Sequence, residues 1–242
     1  MIGWLNSGDP FPAVETALTD PNGLLCAGLQ ITPELVLAAY ERGIFPWYSE
    51  GQPVLWWSPD PRMVLLPKDF RLHRSLRKSL QHCEYEIRVD TCFEAVMRAC
   101  ADPRPEQGGT WISEAIICAY TTLHRSGFAH SVETWMDGEL VGGLYGIALG
   151  RVFFGESMFV RRTDASKVAL AHLVTQLKRW QFGLIDCQQE TEHLASLGAA
   201  PISRKEFLDA LKRLAHTDAV PARAGTWKFD VDLLADLLAA SR

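Results

Sequence analysis

Residues 140–188 constrain the fold more than any other part of the chain. Two strand-like runs come first, then a long helical pattern and one further strand: Leu140 to Ala148, Arg151 to Val160, Asp164 to Trp180 and Leu184 to Gln188. The break at Leu149-Gly150 suits a tight hairpin turn between the first two strands. This order predicts an α/β (α+β) domain with a mixed, mainly antiparallel sheet.

Three polar side chains interrupt these apolar segments. Glu156 stands within an aromatic run, and Asp186 and Gln188 close the last strand, where alternate residues project to the same face. Burying a carboxylate is costly unless it is paired or used. Each acid alone is equally well explained as a cap or an ion-pair partner. Together the three favour a functional site.

The first 67 residues differ in composition from the rest. They hold nine of the 13 prolines and four of the eight tryptophans. Thr32 is expected to cap one helix there, and over 43–62 the alternation of proline and tryptophan predicts irregular structure lying on a surface. We therefore predict a small Pro/Trp-rich N-terminal module over 1–67 and a main domain over 68–242.

Two further sequences fit the capping box that opens many helices. They are Thr91 to Glu94 and Ser203 to Glu206, each followed by an amphipathic run. Both predict a helix start.

The charge of the chain is slightly acidic, with a net value of −5. Nucleic-acid binding therefore cannot be argued from the total. Four basic residues nevertheless recur at helical spacing, namely Arg71, Arg74, Arg77 and Lys78. Such a stripe can attract phosphates inside an acidic protein, although spacing alone favours an ordinary solvated helix face.

The six cysteines are scattered without a CxxC pair, which argues against a zinc site or a disulfide framework. The longest apolar run, Leu140 to Gly150, is far shorter than a membrane helix needs. No secretory pattern is visible at the N-terminus. We expect a cytoplasmic protein with no metal and no membrane span.

The predicted order of strands and helix resembles that of acetyltransferase-like (GNAT) domains, in which an acyl donor binds near splayed central strands. Coenzyme A users of that fold open the following helix with a glycine-rich loop that holds pyrophosphate. The matching segment here, VRRTDASK (160–167), contains no glycine. A coenzyme A-dependent N-acyltransferase is therefore an alternative that this segment argues against.

The chain also resembles the bacterial leucyl/phenylalanyl-tRNA–protein transferases. The matching stretches are PNGLL (21–25), LAAYERGIFPWY (37–48), LWWSPDPR (55–62), GTWI (109–112), AHSVE (129–133), GGLYGIALGRVFFGESMF (142–159), ASK (165–167), LIDCQ (184–188) and SLGA (196–199). Several are long and chemically unusual, so the resemblance is specific.

The resemblance implies transfer of Leu, Phe or Met from its tRNA to proteins that begin with Arg or Lys. The product would be marked for degradation through the N-degron route. The family's fold is an N-terminal module plus a GNAT-like domain, and it needs no coenzyme and no metal. Aminoacyl-tRNA is already an activated ester, so positioning and proton transfer suffice. Accordingly, the chain has no local nucleophile motif such as GxSxG.

The resemblance also assigns roles to the polar residues. Asp186 and Gln188 match the reaction centre, where Gln188 would position the acceptor amine and Asp186 would supply negative potential. Glu156 matches the amino-acid pocket and is expected to orient an ammonium group. Trp47 and Trp111 match residues that hold the terminal adenosine of tRNA, although without the resemblance both would be core tryptophans.

The remaining implied contacts are apolar and basic. Leu144, Phe153 and Leu170 would line the side-chain pocket, with Leu144 and Val160 departing from the usual residues and adjusting that pocket. The stripe of Arg71, Arg74, Arg77 and Lys78 would contact the acceptor stem of tRNA. A tRNA- or peptide-binding module without catalysis is a further alternative, but it has no need for all three polar residues of the site.

Overall fold

The computed structural model describes residues 2–49, 51–102, 110–215 and 227–239. In these ranges the chain forms two sheets, with helices packed against both faces of the larger one. The predicted α/β class is confirmed, as is the mixed, mainly antiparallel sheet. Gly109 of the GTWI motif lies outside the described residues.

The smaller sheet lies in the N-terminal region. Its strands and their helix are β1 (Gly3–Leu5), β2 (Leu24–Gly28), α1 (Pro33–Tyr40), β3 (Phe45–Pro46) and β4 (Val54–Trp57), with the strand order β1-β2-β4-β3. Helix α1 begins as predicted, because Thr32 Oγ1 accepts a hydrogen bond from the Leu35 N–H at 3.2 Å. The prediction of irregular structure over 43–62 is wrong. Aromatic and β-branched residues favour β4, and prolines flank that strand without interrupting it.

The larger sheet has seven strands. They are β5 (Arg62–Leu65), β6 (Glu86–Val89), β7 (Ala129–Met136), β8 (Glu139–Leu149), β9 (Val152–Val160), β10 (Leu184–Gln188) and β11 (Ala200–Ile202), in the order β11-β5-β10-β9-β8-β7-β6. Among these described strands, β9 and β10 form the parallel pair and the other neighbours are antiparallel. Strand β5 precedes residue 67 but pairs inside this sheet, and the two-part division of the chain stays a prediction.

Helices cover both faces of this sheet. Besides α1 they are α2 (Arg74–His82), α3 (Phe93–Ala101), α4 (Glu114–Arg125), α5 (Ala165–Arg179), α6 (Glu192–Ser196), α7 (Arg204–Leu214) and α8 (Leu233–Ala239). Phe154 packs in one core with α3 and α4, whereas its neighbour Phe153 packs in another with α5. We call these sides the α4 face and the α5 face. No helix in the described ranges is long and apolar enough to cross a membrane.

The start of α3 is held by a distant residue. Glu133, fully buried on β7, accepts hydrogen bonds from the N–H groups of Thr91 and Cys92 at 2.9 Å each, and from the Thr91 hydroxyl. The capping box predicted at Thr91 is therefore wrong, because its side chain bonds to the sheet rather than to its own helix. The box predicted at Ser203 is confirmed at the start of α7.

Helix α5 lies unusually close to β8. A Cβ atom added at Gly142 would come within 2.5 Å of the Ala165 Cβ and 2.8 Å of the Ser166 nitrogen. Glycine at this position therefore allows the first turn of the helix to lie directly on the strand.

Candidate active site

Glu156 is the centre of a hydrogen-bond cluster on the α4 face. Its Oε1 accepts hydrogen bonds from the Tyr40 hydroxyl at 2.6 Å and from the Gln188 Nε2 at 3.0 Å, and its Oε2 accepts one from the Tyr120 hydroxyl at 3.2 Å. The two tyrosine hydroxyls lie 2.9 Å apart. Helices α1 and α4 and strand β10 thus converge on one carboxylate of β9.

A β-bulge directs Glu156 towards these partners. Gly155 pairs with Gly146 and Ser157 with Tyr145, so Glu156 has no residue opposite it on β8. Bulges commonly change the direction of a side chain next to a functional site. A second irregularity lies on β10 between Asp186 and Gln188.

Burial changes the acidity of this cluster. Glu156 is half-buried, and desolvation of its carboxylate raises its pKa from the ordinary 4.5 to about 7. Hydrogen bonds from the hydroxyls of Tyr40 and Tyr120 oppose that rise. Burial also raises the pKa of both tyrosines well above 10, with the charge of Glu156 adding to the effect. Both tyrosines therefore stay protonated as hydrogen-bond donors near neutral pH, where Glu156 titrates.

Asp186 is completely buried and paired. Arg62 Nε donates to its Oδ1 at 2.8 Å, and Arg62 Nη2 donates to its Oδ2 at 2.6 Å, with both side chains 0% exposed. This bidentate pair neutralises the carboxylate. Sequence reasoning missed Arg62, Tyr40 and Tyr120. The available signal for Arg62 was one arginine opening the otherwise apolar strand Arg-Met-Val-Leu.

Gln188 links the two acids. Its backbone N–H donates to Asp186 Oδ1 at 2.9 Å, while its side-chain amide donates to Glu156. Its φ of 62° lies in the left-handed region, which glutamine seldom occupies. The structure therefore brings together the three polar residues singled out from the sequence.

Trp47 and Trp111 lie on two segments that contact each other. Trp47 is 42% exposed and packs edge-to-face against Trp57 at 5.5 Å, whereas Trp111 is half-buried against the core. The two segments are joined by a hydrogen bond of 3.2 Å between the hydroxyls of Tyr48 and Ser113. Trp47 thus presents an aromatic surface to solvent.

Leu144, Phe153 and Leu170 are buried in one apolar cluster, but on the α5 face. Glu156 lies on the other face of the sheet. Strands β9 and β10 pair from Val152–Phe154 with Leu184–Asp186, and the pairing ends just before Glu156 and Gln188. Val160 is 57% exposed and does not belong to this buried cluster, so its effect on the pocket stays a prediction.

The predicted basic stripe is not continuous. Arg74 and Lys78 are exposed one turn apart on α2, but Arg71 precedes that helix and its backbone N–H bonds to the Leu197 carbonyl. Arg77 is half-buried and donates to the Leu238 carbonyl of α8 at 2.9 Å. The four residues therefore do not form one helical face. Arg74 and Lys78 are the two of them that lie on α2 with exposed side chains.

A half-buried carboxylate held by hydroxyl and amide donors on a mixed sheet is typical of an α/β enzyme whose site works through hydrogen bonds and proton transfer. In the described parts of the chain no group of three or more His, Cys, Asp or Glu side chains is placed to hold a metal ion. Residues 64–212 match the family model described as leucyl/phenylalanyl-tRNA protein transferase, and residues 30–60 match the model of its N-terminal domain. The chain belongs to this family.

Individual relatives agree with this. Proteins named leucyl/phenylalanyl-tRNA–protein transferase from Nitrosospira multiformis and Azoarcus sp. are 59% and 58% identical to it, covering 95% and 96% of this chain and 98% and 99% of theirs. Among solved structures, L-PGS from Bacillus licheniformis is 12% identical with a TM-score of 0.39, covering 71% of this chain and 57% of its own. A GCN5-related N-acetyltransferase from Kribbella flavida is 15% identical with a TM-score of 0.37, covering 71% and 61%.

Proposed function

We propose that this protein transfers Leu, Phe or Met from aminoacyl-tRNA to the α-amino group of proteins that begin with Arg or Lys. The single observation that supports this most is the family match over nearly the whole chain. The joined cluster of Glu156, Gln188 and Asp186 agrees with it. Such transfer belongs in the cytoplasm, where it would mark the product for degradation through the N-degron route.

The reaction is aminolysis of the aminoacyl ester. The acceptor amine has an ordinary pKa of about 7.7–8.0, so a useful fraction is already neutral near pH 7.5. Its nitrogen attacks the ester carbonyl, a peptide bond forms, and the ribose hydroxyl of the tRNA leaves with a proton. The protein therefore has to hold the two substrates, accept or relay a proton and favour the developing charge.

Glu156 and Gln188 are suited to hold the reacting groups. An ionised Glu156 can accept a hydrogen bond from a substrate ammonium, and its pKa of about 7 makes that ion available at neutral pH. Because the Gln188 Nε2 donates to Glu156, the amide oxygen of Gln188 is left to accept a hydrogen bond from the acceptor amine. Since Arg62 already neutralises Asp186, we assign Asp186 to fixing Gln188 rather than to supplying negative potential.

The donor would occupy both sides of the point where β9 and β10 separate. Its side chain would enter the apolar cluster of Leu144, Phe153 and Leu170, and its terminal adenosine would stack on Trp47 and Trp111. These apolar side chains leave no charged partner for a polar side chain of the amino acid. Such a pocket suits Leu, Phe and Met.

The acceptor stem of tRNA would lie along the basic end of α2. Arg74 and Lys78 are free to meet phosphates, with Arg71 just before the helix, whereas Arg77 contributes less because it bonds to α8. Contacts of this kind recognise the shape of the RNA and not its sequence.

The test mixes the purified protein with radiolabelled Leu-tRNA, Phe-tRNA or Met-tRNA and with two peptides that differ only in an N-terminal Arg or Ala. We expect label on the Arg peptide alone, and the order of the three donors would define the pocket. Glu156→Gln is the matched inactive control. No transfer to either peptide, with aminoacyl-tRNA still bound, would overturn the proposal and leave a binding module.

A further inference from the structure

The side chain of Arg62 donates three hydrogen bonds, all to buried groups of the protein. Besides the two bonds to Asp186, its Nη1 donates to the Gly43 carbonyl at 3.1 Å. Its guanidinium lies between two aromatic rings, 4.7 Å from the centre of Phe45 and 4.6 Å from that of Phe207. Such a planar, fully enclosed fork has one orientation available to it.

Three parts of the chain meet at this guanidinium. Phe45 comes from the N-terminal sheet, Phe207 from α7, and Arg62 itself from β5. Gly43 completes the enclosure with φ +72°, and a Cβ atom there would come within 2.9 Å of the Phe207 ring. The orientation of Arg62 is therefore set by the tertiary fold.

Arg62 is linked to Gln188 through one oxygen atom, Oδ1 of Asp186. Asp186 Oδ1 accepts from Arg62 Nε at 2.8 Å and from the Gln188 backbone N–H at 2.9 Å. The second bond holds Gln188 in its left-handed conformation, and that conformation aims its amide at Glu156. Rotation of the Asp186 carboxylate would release the backbone of Gln188.

We propose that Arg62 is a positioning residue for aminoacyl transfer: it fixes the Asp186 carboxylate, which fixes the backbone of Gln188 and so the amide that receives the acceptor amine. This inference rests on the proposed function. It gives the buried pair a geometric task, since a neutralised carboxylate contributes little net charge to the reaction.

Arg62→Lys keeps the charge but loses the fork, so it should lower kcat about 100-fold, the usual cost of misplacing a reacting group by about 1 Å. The KM for Leu-tRNA should change by less than about threefold, because Arg62 does not touch the donor pocket. Arg179→Lys is the matched control, because it makes the same substitution at another mostly buried arginine. Arg179 pairs with Asp230, Asp232 and Asp236, and none of its contacts in the described residues involves Asp186, Gln188 or Glu156, so its replacement should leave kcat within about twofold.

A second variant separates positioning from stability. Arg62→Met combined with Asp186→Leu removes both buried charges, which commonly preserves or improves folding. We expect a melting temperature near that of the wild type together with a kcat reduced at least 100-fold, because Gln188 then lacks its backbone acceptor. If this variant does not fold, the kcat and KM of Arg62→Lys decide.

The assays are single-turnover and steady-state transfer of labelled Leu to the Arg peptide, with thermal unfolding followed in parallel. Wild-type kcat in the double variant or in Arg62→Lys would overturn the positioning role while leaving the proposed function intact. Loss expressed only as a higher KM would overturn it as well. Absence of transfer by the wild-type protein would overturn the proposed function, and this inference with it.

Discussion

Replacing Glu156 by glutamine should stabilise the folded protein above pH 7. The carboxylate has a pKa of about 7 in the folded state against an ordinary value of 4.5. Between these values the folded state holds a proton that the unfolded state has lost. The stability of the wild-type protein therefore falls as the pH rises through this window and is constant above it.

The difference of about 2.5 pKa units corresponds to at most about 3.5 kcal/mol, at about 1.4 kcal/mol per unit. We treat this as an upper limit because Glu156 keeps some contact with solvent. Glutamine has the same shape and its amide oxygen can still accept from Tyr40. The variant should therefore lack the pH-dependent penalty while retaining much of the hydrogen bonding.

Urea unfolding followed by tryptophan fluorescence at pH 5, 6, 7 and 8 measures this difference. The stability of Glu156→Gln relative to the wild type should increase from pH 5 to pH 7 and then level off, while aminoacyl transfer falls. Glu139→Gln, an exposed carboxylate at the start of β8, corrects for the loss of one acidic side chain. A Glu156→Gln difference that stays the same from pH 5 to pH 8 would refute the reasoning.

Three further variants test other parts of the structure. Trp47→Ala should raise the KM for aminoacyl-tRNA about 5- to 150-fold, equal to about 1–3 kcal/mol of lost stacking. The melting temperature should change little because the ring is 42% exposed. An unchanged KM would contradict stacking. Combined Arg74→Ala and Lys78→Ala should remove one to two phosphate contacts and so reduce the slope of log K against log salt for tRNA binding by about 0.7–0.9 per contact. Arg77→Ala should instead loosen α8 and lower stability. Equal salt slopes for both variants would contradict this assignment. Gly142→Ala should cost about 1–3 kcal/mol in chemical unfolding because its methyl group would overlap the first turn of α5, and a neutral effect would show that the helix can shift.

Local patterns predicted the parts of the fold that depend on neighbouring residues. The β8–β9 hairpin follows from alternating apolar runs around one short break, and the Ser203 capping box needs only four consecutive residues. The prediction at Thr91 failed although its pattern is the same. Its carboxylate partner, Glu133, lies about 40 residues later and competes successfully for the same donors.

Three polar residues of the site were predictable from the sequence, but their geometry and their partners were not. Glu156, Asp186 and Gln188 stand out because they are polar residues in apolar strands. Their directions depend on two register shifts that strand periodicity alone does not predict. Arg62 was missed because its partner is 124 residues away in the sequence.

That separation has a consequence for the order in which the chain assembles during synthesis. Strand β5 pairs with β10 and β11, both of which are made much later. At about 5–20 residues per second, Arg62 waits roughly 6–25 s for Asp186 to leave the ribosome. Throughout that interval β5 lacks both of its partner strands, and Arg62 lacks Asp186. Strand β5 can therefore join the larger sheet only after β10, the strand that carries Asp186 and Gln188, has been made.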